Sequence, residues 1–166
     1  MRQLPILAVA CAVMLSAPTV LADATLHAKL SGFDETPQAL STTASGTFSA
    51  KINKDMTIDY ELTYADLEGD VTQSHIHFGR PDTTGGIAVW LCQGTVAGPA
   101  GTPLCMGART GGASGTITPA NIIGPTGQGI AAGEWEELIA AIGEGATYVN
   151  VHSALRPGGE IRGILK

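Results

Sequence analysis

The run "TIDYELTY", residues 57–64, puts Ile58, Tyr60, Leu62 and Tyr64 on one side of an extended chain and Asp59, Glu61 and Thr63 on the other. Successive side chains of a β-strand point to opposite faces, so this period of two describes a strand with one face in a core and one in water. Just upstream, "GTFSAKIN" (46–53) alternates in the same way, with Phe48, Ala50 and Ile52 inward. The link "NKD" (53–55) carries the Asn and Asp of a tight turn, so the two runs form a hairpin. In "TLHAKL" (25–30), Leu26, Ala28 and Leu30 face inward and His27 and Lys29 face solvent.

The same signal recurs at "VTQSHIHF" (71–78), "GIAVWL" (86–91), "ASGTIT" (113–118), "TYVNVHS" (147–153) and "EIRGIL" (160–165), which makes about eight strands. One segment breaks the pattern. In "GEWEELIAAIGEG" (133–145), Trp135, Leu138, Ile139 and Ile142 recur at helical spacing, with Glu134, Glu136 and Glu137 at the start, where they favour the helix dipole. This predicts one short helix near 134–142, ended by Gly143. Thr118-Pro119 starts a brief helical turn, and "GPTGQG" (124–129) is a loop. Many strands with one inserted helix imply a mainly β protein, an antiparallel Greek-key sandwich or barrel, and exclude a parallel α/β fold.

Residues 1–22, "MRQLPILAVACAVMLSAPTVLA", have an early Arg, an apolar run and small residues before a cleavage point, the pattern of a secretory signal peptide. The run is interrupted by Ser16 and Pro18 and falls short of the roughly 20 apolar residues of a membrane span, so no stable membrane insertion is expected. Cleavage leaves residues 23–166, the size of a single domain in a secreted or periplasmic location. That mature chain has 8 basic and 15 acidic side chains, a net charge of −7 with His neutral. Nucleic acid is a poor partner for such a surface; an extracytoplasmic partner or a metal ion suits it better. Once Cys11 leaves with the signal, Cys92 and Cys105 remain as an even pair. A disulfide across the Gly- and Pro-rich "QGTVAGPAGTPL" would contribute roughly 3 kcal/mol by chain entropy. Half of a metal site is the weaker alternative, because no C-x-x-C spacing or nearby His supports it.

His75 and His77 stand one residue apart, opposite in facing to Ile76 and Phe78. On the strand at 147–153, Tyr148, Asn150 and His152 likewise oppose Val149 and Val151. If the two strands are neighbours, three imidazoles converge on an outer surface, with the loops at 79–86 or 92–112 placed to cover it. Three nitrogen donors with an open position suit Cu(II) or Zn(II). Otherwise these are polar positions on strands, which need no special purpose. Ser74 and Ser153 point away from their neighbouring histidines, and no G-x-S-x-G, H-E-x-x-H or phosphate-loop motif is present, so no catalytic residues are assigned.

"HIHFG" (75–79), "GGIAVWLC" (85–92) and above all "YVNVHSALRPGGEIRGIL" (148–165) resemble the CHRD domain, a module named for its repeats in chordin and found singly in secreted bacterial proteins. The motif includes Asn150, Pro157, Gly158, Gly159, Glu160, Arg162 and Gly163. The resemblance implies an extracytoplasmic β-rich domain; taken with the signal peptide and the absence of a catalytic set, it leads to the expectation of a protein that acts by binding, without catalysis of its own. A looser similarity is to copper/zinc superoxide dismutase, a β-barrel of immunoglobulin-like character whose copper ligands include an H-x-H pair and a late histidine. His75, His77 and His152 match those positions, which implies copper as the cofactor, in a carrier or a redox enzyme. No histidine lies between 77 and 152, so the bridging ligand and zinc subsite are missing. For Arg162 two uses are expected, an ion pair with Glu160 or another acid, or steering of an anion.

Overall fold

A computed structural model describes residues 23–166, and the proposed signal peptide lies outside these described residues. The strands are β1 (Thr25–Ser31), β2 (Ser45–Ile52), β3 (Ile58–Ala65), β4 (Val71–Phe78), β5 (Gly86–Gln93), β6 (Gly111–Ile117), β7 (Thr147–Ser153) and β8 (Ile161–Ile164). The one α-helix among the described residues, α1, spans Trp135–Gly143, and a 3-10 turn at Pro119–Asn121 occupies the expected position after Thr118. Among the described residues no helix is long and apolar enough to cross a membrane.

Hydrogen bonding joins the strands in the order β5-β4-β7-β8-β1-β2-β3-β6, antiparallel throughout. The two edges, β5 and β6, meet across a seam that makes the sheet a nearly closed barrel. Short contacts stitch this seam: Leu104 bridges to Gln93 of β5, and Met106 bridges to Gly112 of β6. The Cys92–Cys105 disulfide pins the same segment to β5. Taken across the seam, β4, β5 and β6 follow one another and β7 returns beside β4, which is a Greek-key connection.

Alternation between buried and exposed residues holds in three of the strands where it was read. The inward residues of β1, β2 and β3 are buried and those between them mostly exposed. They pack with Ile76, Val89, Leu91, Val149, Val151 and Ile161, while α1 adds Leu138, Ile139 and Ile142 to the core. Strands β4 and β7 depart from the pattern, and every residue of β7 is buried. His75, His77, Tyr148, Asn150 and His152 do face away from the barrel core, yet they do not form a surface. Loops cover them, leaving His75, His77 and His152 only 0%, 8% and 7% exposed.

Candidate metal centre

The pairing of β4 with β7 sets His75 opposite Asn150, His77 opposite Tyr148 and Gln73 opposite His152. All these side chains share the outer face, and His152 lies diagonal to His75. Register shifts in β4 against β5, between Ser74 and His75 and between Ile76 and His77, twist the strand locally where the two imidazoles leave it. One ligand nitrogen from each of the three rings lies within 4.8 Å of the others. Bonds of about 2.0–2.1 Å to a tetrahedral ion would hold such nitrogens about 3.3 Å apart. The closest pair, His75 Nδ1 and His152 Nε2, is already at 3.3 Å.

Hydrogen bonds fix two of the tautomers. His77 Nδ1–H donates to the Gly85 carbonyl at 2.9 Å and His152 Nδ1–H to the Pro157 carbonyl at 3.0 Å. Each leaves a bare Nε2, the arrangement in which a carbonyl orients an imidazole ligand and raises its basicity. His75 Nε2 and His77 Nε2 are buried without a hydrogen-bond partner. An unpartnered buried acceptor is costly and rare, which makes the bare His77 Nε2 a candidate ligand atom; His75 meets His152 through Nδ1, and its own unpartnered Nε2 points away from that contact. Burial pushes His75 down to about 2, helped by its two neighbouring imidazoles. Burial also brings His77 down to about 4 against the Gly85 hydrogen bond, and lowers His152 against that of Pro157. All three are therefore neutral donors at ordinary pH.

The C-terminal motif surrounds this cluster. Arg156 pairs with Glu68 at 2.7 Å, and Pro157 supplies the carbonyl that orients His152. Gly158 is an exposed turn residue. Gly159, at φ +129°, leaves room for Asn150 and Glu35; a Cβ there would come within 2.6–2.8 Å of their side-chain atoms. Glu160 is fully buried and accepts from Thr42 Oγ1, the Glu68 backbone N–H and Ser153 Oγ, tying three segments together. Gly163 allows β8 to approach β1, since a Cβ would lie 2.2 Å from the Lys29 carbonyl.

Arg162 corrects both expectations placed on it. Among the described residues neither Glu160 nor another acid forms an ion pair with it, although its charge acts on Glu35, and at 1% exposure it cannot meet an anion from solvent. Its Nη2 instead donates to the carbonyls of Arg80, Pro81 and Thr83 at 2.8–3.0 Å, holding the 79–85 loop over the cluster. Its guanidinium lies 3.4 Å from the centroid of Tyr148, whose ring stacks in parallel on His77 at 4.8 Å. Sequence reading missed Trp90, which packs edge-on against His75 at 4.4 Å, because that contact depends on the irregular β4–β5 register. It also missed Glu35, which accepts from Asn150 Nδ2 and sits in an irregular segment with no periodic signal.

No curated protein and no solved structure matches the chain. A family model does, that of the CHRD domain, over residues 26–165. Because the match runs through all eight strands and takes in both the histidines and the motif that encloses them, this chain belongs to the CHRD domain family, which places it among extracellular or periplasmic interaction domains.

Proposed function

We propose that this protein is an exported binding domain whose ligand is a copper ion held by His75, His77 and His152, with no catalysis of its own. The observation that carries this reading is the convergence of three neutral, buried imidazoles with one nitrogen of each within 4.8 Å of the others, His77 Nε2 being bare and without a partner. Donor chemistry favours a transition metal over Ca²⁺ or Mg²⁺, which prefer oxygen ligands. A binding role suits the site better than turnover, because the cover loop and Trp90 enclose the rings and Arg162 is fully engaged with loop carbonyls. The leader-like residues 1–22 support export.

The test is a copper titration of the protein starting at Asp23, followed by metal content and electron paramagnetic resonance. One equivalent of copper is expected, with affinity falling by about 100-fold or more in His75→Ala, His77→Ala and His152→Ala. If all three variants bind copper as the parent does, the site is refuted. Superoxide consumption by the loaded protein above that of buffer would overturn the non-catalytic part of the reading.

A further inference from the structure

Resting on that copper site, we infer that the ion it is built to hold is cuprous, and that Arg162 acts as a positioning and charge-setting residue that disfavours the divalent state. Three observations carry this. Every donor is neutral: His77 and His152 give their Nδ1–H to backbone carbonyls, and the contacts of the three rings are with one another, Trp90, Tyr148 and those carbonyls. Among the described residues no carboxylate or thiolate bonds to any of them, and the nearby Glu35, on which the Arg162 charge also acts, bonds the Asn150 amide.

The second observation is the buried cation. Arg162 stacks on Tyr148, which stacks on His77, so its guanidinium lies within about 8 Å of that ring. No carboxylate forms an ion pair with it among the described residues. A buried positive charge repels a dication twice as strongly as a monocation, and the cost of desolvating an ion rises with the square of its charge.

The third is the donor count. The cluster supplies three nitrogens, whereas Cu(II) favours four or more donors in a tetragonal array. A closed-shell d¹⁰ monovalent ion has no ligand-field demand for a fourth and is satisfied by three imidazoles. Zn(II) would use three histidines only with a water in the open position. Here the three rings are buried beneath the Trp90 ring and a loop held through three Arg162 hydrogen bonds, an enclosure that disfavours a water-bearing ion.

Competition with a chromogenic cuprous chelator under anaerobic conditions, set beside titrations with Cu(II) and Zn(II), decides the matter. The expected result for the wild type is a cuprous affinity at least about 100-fold above that for either divalent ion. In Arg162→Met the ratio of cuprous to cupric affinity should fall about tenfold or more, lowering the copper potential by 59 mV per tenfold, while Arg162→Lys should keep it. A purely structural role for Arg162 would weaken both oxidation states equally and leave the ratio unmoved, which overturns the charge assignment. Should Arg162→Met fail to fold, the wild-type ratio alone decides: cupric affinity equal to or above cuprous refutes the inference and leaves the copper site standing. Absence of binding by either ion overturns the site itself.

Discussion

Glu35 and Asn150 meet with a surplus of acceptors: Asn150 Nδ2 serves both carboxyl oxygens at 3.1 and 3.2 Å, while Asn150 Oδ1 has no donor. Burial is the largest influence on Glu35 and pushes it up to about 7, against the opposing pull of Asn150 and Arg162. A proton held on Glu35 eases that surplus. Between the ordinary glutamate value of 4.5 and about 7 the folded chain keeps this proton and the unfolded chain releases it, so stability falls as pH rises through that window. Glu35→Gln removes the ionisation and offers a permanent donor. It should match the parent at pH 4.5 and exceed it by about 2 kcal/mol at pH 8 in urea unfolding. A loss at pH 8 larger than that at pH 4.5 would show that the carboxyl group stabilises the fold in its charged form. None of this was legible in the sequence, because Glu35 lies in an irregular segment and reaches Asn150 across 115 positions. The histidines were legible as a same-facing set, since alternation is local; their burial was not, since it depends on loops contributed from elsewhere.

At the scale of elements, strand positions were readable to within a residue or two, because each strand carries its own hydrophobic period. Strand order was not, since β4 and β7 pair across an intervening helix and two strands. The Cys92–Cys105 disulfide, expected from the even pair, joins β5 to the segment that closes the seam. Gln93 completes that junction by bonding the Thr102 carbonyl and the Gly98 N–H, and Gly98 packs against the Trp90 ring that meets His75. Replacing both cysteines by alanine should therefore lower unfolding free energy by about 3 kcal/mol. Reduction of the parent should release two alkylatable thiols that are absent before it. Two thiols reactive without reduction, or no change in the urea midpoint of the double variant, would contradict the seam's dependence on the bond.

For the whole molecule, the buried histidines and Glu35 work against each other as pH changes. His75 and His77 stay neutral in the fold well below 6.5, where the unfolded chain binds protons, so they lower stability as pH falls; Glu35 opposes them between 4.5 and 7. The metal-free chain should lose about 1.4 kcal/mol or more per pH unit below about pH 6. Copper at 100 times its Kd should add about 2.7 kcal/mol, some 8 °C in Tm, at neutral pH. Calorimetry with and without the ion checks both, and a flat pH profile for the metal-free chain would contradict the neutral, buried state of the rings. The wrapping of His75 and His77 by the C-terminal motif also has a consequence for biosynthesis. Their partner His152 follows 77 residues after His75, and the Arg162 that latches the cover loop lies later still. A chain emerging from the ribosome or crossing a membrane amino end first exposes two histidines long before the third, and cannot enclose an ion until its final strand is free. With the proposed copper site, loading would thus be a late event in the protein's life, and a truncated or stalled chain would not retain the metal.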